Sequence, residues 1–417
     1  LAIKHFIRTY PEQNMIKFAS LFIVPVCFGI TLLSIAVPTH AQDLYADPHT
    51  GILLTDAQTG AVLFFRNENK PLIPASILKI LTSLTALHYL GEQYHFITHY
   101  FFERESGNLY IKGYGDPVLT SETIENFCRE IISKEKITGI SDIILDHSYY
   151  ADFMHIPGRG NSINPYDAPL GALAVNYNTI NFKWDSHSGQ FISGESQTPL
   201  LDIFFDDIKK TGLKNGRIVI SPELCRVYPG LLLKYFFEKQ GIKVTGRVRQ
   251  GSFIKNEKQK RIFQSPYNLK TIIRKLLCYS NNFIANQLLL TMGAKILGPP
   301  ATPEKGIKVM QEFIKKELKL NRIIIYEGSG LSENNRISPA QMISILHYFM
   351  PYHELLRKEK NDLFKTGTLT GVKARAGYLS GRNNQLYPYV IIINKTNANY
   401  THILNHLKDI VHSESGF

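Results

Sequence analysis

Ser76 and Lys79 stand three residues apart at the head of a strongly apolar run that includes Ile77, Leu78, Ile80, Leu81, Leu84, Leu87 and Leu90. On a helix that spacing puts hydroxyl and amine on one face. A run apolar on nearly every side reads as a buried helix, and Gly91 stands where its C-terminal cap belongs. Burial desolvates the lysine and lowers the pKa of its amine, while the helix N-terminus favours negative charge developing on the serine. A neutral amine beside that hydroxyl can take its proton. Nucleophile and base are then assembled within one turn.

The spacing alone does not single this pair out. S-x-x-K also occurs at Ser133/Lys136 and Ser252/Lys255, S-x-N begins at Ser106, Ser162, Ser280 and Ser332, and K-T-G begins at Lys210 and Lys365. Local context separates them. Ser133 and Ser252 lie in charged stretches that read as solvated, Ser162 in a Gly/Asn/Pro-rich loop, and Lys210 before a turn. Ser280 and Asn282 instead interrupt a long apolar helical segment, Ile272–Ala285, where polar groups need partners or a task. Lys365-Thr366-Gly367-Thr368 opens a strand, whose backbone can pair with a peptide while its lysine and hydroxyls face a carboxylate. The set carrying the chemistry is therefore Ser76, Lys79, Ser280, Asn282 and Lys365, with Thr366, Gly367 and Thr368 as the substrate-facing strand.

These residues must be held by distant parts of the chain. Strand-like runs at Gly51–Leu54 and Ala61–Phe65 precede the serine helix. Helical patterns span Asn268–Ala294, Glu304–Leu320 and about Tyr400–Val411, and strand-like runs lie at Leu363–Leu369, Ala374–Leu379 and Tyr387–Ile393. We expect a mixed α/β fold, one antiparallel sheet closed by both ends of the chain and flanked by helices. Residues 98–262, rich in turns and short β-like pieces, read as an inserted β-rich domain dividing the catalytic unit into 42–97 and 263–417.

Residues 1–41 read as a secretory leader: a basic start, an apolar core and the small-residue end Thr39-His40-Ala41, with cleavage after Ala41. Residues 1–14 precede Met15 and are read as an extended gene start. Val24-Pro25-Val26 lacks the small residues that lipid attachment at Cys27 requires. The remaining Cys128, Cys225 and Cys278 are odd in number, so no disulfide scaffold is expected. The chain carries +12; the leader holds Lys4, Arg8 and Lys17 against Glu12, leaving about +10. In an exported protein that charge points to a membrane surface or the acidic cell wall rather than to nucleic acid. No H-E-x-x-H, C-x-x-C or Walker-type loop occurs, and no metal or cofactor is expected.

S-x-x-K, S-x-N and K-T-G in this order resemble the penicillin-binding proteins and serine β-lactamases. Gly115-Asp116-Pro117, Leu145-Asp146-His147-Ser148-Tyr149, Gly328-Ser329-Gly330-Leu331-Ser332 with Arg336, and Lys365–Gly371 with Ala376-Gly377-Tyr378 resemble the D-alanyl-D-alanine carboxypeptidase/endopeptidase family, the low-molecular-mass members with inserted domains. The resemblance implies a β-lactamase/transpeptidase-like fold, peptidoglycan stem peptides as substrate and β-lactam antibiotics as covalent inhibitors. It implies an acyl-enzyme on Ser76, with Lys79 as base, Ser280 relaying a proton, Asn282 orienting Lys79, and Thr366 and Thr368 binding the terminal carboxylate. Three features depart from the family pattern: a compact insertion, Glu327 where an aspartate usually stands, and Pro157-Gly158-Arg159-Gly160-Asn161 in place of a tryptophan-rich stretch.

Two other readings are compatible with the motifs. Glu317-Leu318-Lys319-Leu320-Asn321 matches the E-x-x-L-N pattern of one serine β-lactamase class, although its charges alternate with apolar residues as on a solvated helix face. A catalytically silent wall-binding protein is the other, and loss of a motif residue would be its mark.

Overall fold

The first strand, Thr50–Thr55, is buried along its whole length, as expected of a run apolar on both faces. It pairs antiparallel with Leu386–Ile393, Leu53 opposite Val390, so the two ends of the fold meet in mid-sheet. The computed structural model, which describes residues 47–152, 154–253, 259–382 and 385–414, orders this six-stranded sheet as Arg357–Glu359, Asp362–Leu369, Val372–Ser380, Leu386–Ile393, Thr50–Thr55 and Val62–Arg66. The leader and its cleavage point lie outside the described residues.

Alternation along Leu386–Ile393 divides the two faces. Val390 and Ile392 enter a core shared with the helices Lys79–Leu90, Leu269–Tyr279, Asn282–Leu297, Pro303–Lys316 and Pro339–Phe349. On the other face Tyr389 joins Asp362 and Arg375: Arg375 donates to the Tyr389 hydroxyl (2.8 Å) and to the Asp362 carboxylate (2.6 Å). The helix Thr401–Glu414 contacts Val372–Ser380 and Leu386–Ile393, and its His406 ring meets Phe64 edge-on. The expected antiparallel sheet flanked by helices is present.

Between these halves the chain builds a second core. A five-stranded sheet runs in the order Val248–Gln250, Ile143–Asp146, Asn108–Gly113, His95–Glu103, Arg261–Asn268, joined by a three-stranded sheet of Gln190–Ser193, Thr179–Asp185 and Asn215–Val219. The helices Ser121–Glu135 and Tyr228–Lys239 bury Phe127, Ile131, Leu233 and Phe236 with it. The strand that begins this excursion pairs antiparallel with the one that ends it, Asn268 opposite His95. Asn268 then caps the next helix, accepting from Thr271 N–H. The chain thus re-enters the first unit beside the point where it left. Cys128 and Cys225 are buried free thiols and Cys278 is exposed.

Candidate active site

Ser76 lies in a tight turn, Ala75–Leu78, that leads into the helix Lys79–Leu90. Ala75 holds φ +48°, a left-handed conformation that L-residues adopt only when their surroundings over-determine it. Two glycines supply those surroundings. A Cβ on Gly330 (φ +82°) would stand 1.9 Å from Ala75 O, and one on Gly367 would stand 2.9 Å from Ser76 N. Only glycine lets both segments press on the backbone carrying Ser76.

Lys79 is fully buried, and its Nζ has three neighbours: Ser76 Oγ at 2.7 Å, Asn282 Oδ1 at 2.7 Å and the Ser329 carbonyl oxygen at 2.6 Å. The last two can only accept. In its neutral form the amine has two N–H bonds, which these acceptors can take, so that its lone pair is free for the serine hydroxyl. Burial pushes the Lys79 pKa well below the ordinary lysine value, the nearby Lys365 charge pushes the same way, and Glu327 opposes both.

Ser280 and Asn282 come from a break that the apolar periodicity conceals. The expected continuous helix is two helices, Leu269–Tyr279 and Asn282–Leu297, because Ser280 turns left-handed at φ +56°. Asn281 then caps the second helix by accepting from Ile284 N–H. The break aims the two side chains of one S-x-N differently: Asn282 at Lys79, Ser280 at Lys365, whose Nζ lies 2.7 Å from Ser280 Oγ. Lys365 also donates to Thr366 O (2.7 Å), and burial lowers its pKa to about 8. Beyond it the strand carries half-buried Thr366, buried Gly367 and exposed Thr368, with Gly367 against Ser76 N.

The structure thus joins Ser76 and Asn282 through Lys79 Nζ, joins Ser280 to Lys365, and brings Gly367 of the Lys365 strand against Ser76 N, with Thr366 and Thr368 on either side of that glycine. Of the competing matches, Ser332 is buried in the loop behind Lys79, where its N–H donates to Glu327 (3.3 Å). Among the described residues, Ser133, Ser162, Lys210 and Ser252 make no hydrogen bond to the site. Ser133 and Lys136 are exposed on the helix Ser121–Glu135 and at its end, Ser162 hydrogen-bonds Asp167, and Lys210 is an exposed partner of Asp207. Ser252 is exposed, and Lys255 lies outside the described residues. Glu317 is an exposed residue ending the helix Pro303–Lys316.

The sequence reading misses the layer behind the lysine. Glu327, fully buried, accepts from Ser329 N–H (2.6 Å), Gly330 N–H (2.6 Å), the Ser329 hydroxyl (2.5 Å), Asn335 Nδ2 (3.0 Å) and Asn286 Nδ2 (3.3 Å). That cage fixes the loop whose Ser329 carbonyl receives Lys79. Thr82 adds a bond to Gly328 O (2.6 Å). A buried carboxylate in Gly-Ser-Gly context was the available signal. The unusual stretch at Pro157–Asn161 lies over this loop, since a Cβ on Gly158 would meet Ser332 N at 2.7 Å.

Residues 33–212 and 225–358 match the D-Ala-D-Ala carboxypeptidase 3 (S13) family. The chain belongs to the S13 family. The S13 match stops short of Lys365, whose place in the site rests on its contact with Ser280. D-alanyl-D-alanine carboxypeptidase DacB of Haemophilus influenzae is 21% identical over 447 residues, spanning 89% of this chain and 91% of that one. D-alanyl-D-alanine carboxypeptidase of Actinomadura sp. is 22% identical over 410 residues, spanning 81% and 76%. In fold, this S13 chain is similar to penicillin binding protein 4 from Haemophilus influenzae, with a TM-score of 0.71 at 17% identity over 90% of this chain and 98% of that one. A predatory peptidoglycan endopeptidase from Bdellovibrio bacteriovorus superposes with a TM-score of 0.53 at 17% identity, covering 88% and 92%.

Proposed function

We propose that this S13 protein is a penicillin-sensitive serine D-alanyl-D-alanine carboxypeptidase, with D,D-endopeptidase activity on the same site, acting on peptidoglycan stem peptides. The observation that carries the reading is the buried Lys79 amine, whose Nζ lies 2.7 Å from Ser76 Oγ, 2.7 Å from Asn282 Oδ1 and 2.6 Å from Ser329 O.

In acylation Ser76 Oγ bonds to the carbonyl carbon of the penultimate D-alanine while its proton passes to Lys79 Nζ. The backbone N–H groups of Ser76 and Thr368 hold the oxyanion. The C–N bond then breaks, and the departing amine takes the proton that Lys79 had received, relayed through the Ser280 hydroxyl beside a Lys365 that stays protonated, which returns Lys79 to the neutral amine. Thr366 and Thr368 bind the terminal carboxylate beside that charge. Asn282 orients Lys79. Water, deprotonated in the same way, releases the acyl group. A β-lactam follows the first half of this path and remains as an ester on Ser76.

Residues 1–41 are assigned as the leader that exports the chain, with cleavage after Ala41, and the substrate lies in that exported compartment. Among the described residues no helix is long and apolar enough to cross a membrane. The surplus positive charge favours contact with the wall or a membrane surface. The test is release of D-alanine from a stem pentapeptide ending in D-Ala-D-Ala. Wild-type protein is expected to release it and Ser76→Ala to release none; equal release by both would overturn the assignment.

A further inference from the structure

The two chain neighbours of Ser280 open a second pocket. Tyr279, 80% exposed, and Asn281 line a cavity of about 250 Å³ together with Phe283, Lys275, Tyr177 and Arg217. The first four come from the helices that meet at Ser280. Tyr177 and Arg217 come from the intervening excursion of the chain, so both cores contribute a wall.

The wall from the excursion is built under constraint. Asn176, Tyr177 and Asn178 are three consecutive non-glycine residues at positive φ (52°, 59° and 51°). Such conformations persist only where surroundings over-determine them. Here Asn176 accepts from Ser121 N–H and donates to the Ser121 and Tyr228 hydroxyls, each at 2.9 Å, and Asn178 donates to Pro169 O at 2.8 Å. The strain presents the Tyr177 ring edge-on to Phe283, 5.9 Å between centroids, immediately after Asn282. The pocket floor is therefore braced against the helix that positions Lys79.

Its charge is positive. Arg217 is balanced by an ion pair with Glu195. The Lys275 ammonium stands over the Tyr267 ring at 4.9 Å, with no carboxylate in ion-pair range among the described residues. A departing D-alanine is a single residue with its carboxylate already held at the Lys365 strand, and it has no atoms left to reach Lys275. A departing peptide does.

We propose that this pocket is the subsite for the leaving peptide of a cross-linked substrate: an amine component that is itself a peptide carrying further carboxylates, received by Lys275 and stacked on Tyr279. The inference rests on the reading of Ser280 as the group that protonates the leaving amine. It makes the endopeptidase reaction, and not the carboxypeptidase reaction, the one dependent on the excursion's Tyr177 wall.

The experiment compares kcat/KM on a stem pentapeptide and on a cross-linked dimer of stem peptides for wild type, Lys275→Glu, Lys275→Arg and Tyr279→Ala. Tyr279 is exposed and Lys275 half-buried, and penicillin acylation of each variant checks that the site is intact. Lys275→Glu is expected to lower the dimer-to-pentapeptide ratio about tenfold, by charge reversal against an anionic leaving group, and Tyr279→Ala to lower it too. Lys275→Arg is expected to keep the ratio. A ratio within about twofold of wild type for Lys275→Glu overturns the subsite, as does a wild type that releases D-alanine but leaves the dimer uncut. A wild type that neither releases D-alanine nor takes up penicillin overturns the proposed function instead.

Discussion

The Lys365 ammonium lies 2.7 Å from the Ser280 hydroxyl, although 85 residues of chain separate them. In the proposed mechanism the contact joins the strand that would receive the substrate carboxylate to the helix break that would serve the leaving amine. Both tasks need Lys365 protonated, and burial brings its pKa down from 10.5 to about 8. We therefore expect kcat/KM for D-alanine release to fall as pH rises through about 8. Unfolding does not produce that fall. Between about 8 and 10.5 the unfolded chain binds the Lys365 proton more tightly than the folded one, so this lysine's contribution to stability rises with pH across the window. A pH–rate profile recorded with a melting curve at each pH separates the two effects, and an activity loss that tracks melting would contradict this account.

Lys79→Met keeps an apolar chain of similar length in the buried slot and removes the base. Penicillin acylation is expected to slow by about 10²–10⁴-fold, the usual contribution of a general base. Asn282 Oδ1 and Ser329 O lose their donor, which costs about 1–3 kcal/mol and is read as a modest drop in Tm. Stopped-flow acylation and calorimetry measure the two separately.

Glu327→Gln tests the cage behind the lysine. Its negative charge raises the Lys79 pKa, so removing it lowers that pKa further, and the acid limb of kcat/KM moves to lower pH. In either orientation the amide turns its N–H₂ toward a donor, Ser329 N–H on one side or Gly330 N–H on the other, at a cost of about 1–3 kcal/mol in stability. A stability loss with an unmoved acid limb would limit Glu327 to a structural role.

Gly330→Ala places a methyl 1.9 Å from Ala75 O and strains a residue at φ +82°. Gly371→Ala is the matched control, at φ +68° with nothing within 4 Å of the new methyl. Both substitutions pay about 1–3 kcal/mol for the backbone conformation. Only Gly330→Ala displaces the turn carrying Ser76, so it alone is expected to slow acylation as well as lower Tm.

Much of this arrangement is legible in the sequence, for identifiable reasons. Ser76 and Lys79 stand out because Ile77, Leu78, Ile80 and Leu81 leave the helix no polar face, and the structure buries it accordingly. Leu363–Leu369, Ala374–Leu379 and Tyr387–Ile393 read as strand-like runs, and the observed strands Asp362–Leu369, Val372–Ser380 and Leu386–Ile393 contain them. The break at Ser280 is not legible, since Ile272–Ala285 contains neither glycine nor proline to mark it. Its left-handed turn comes from tertiary demands on Asn282 and Ser280. The helix Pro339–Phe349 does have a local signature, Ser338 and Gln341 in a capping box with proline at the first turn, which the periodicity reading passes over. Ser121–Glu135 and Tyr228–Lys239 disappear among the turn-rich pieces around them. Of the Glu327 cage only the adjoining Gly328-Ser329-Gly330 is a sequence signal, and its other donors, Asn286 and Asn335, are not legible because no spacing ties them to it.

The nucleophile decides the account. Mature protein is incubated with a penicillin and its intact mass followed over time, with Ser76→Ala alongside. We predict one adduct of the whole penicillin on the wild type, mapped to Ser76 and persisting through the time course, and none on Ser76→Ala. An adduct that forms equally on Ser76→Ala, or a wild type that destroys the penicillin without retaining it, would contradict the reading of this site as a penicillin-sensitive peptidase.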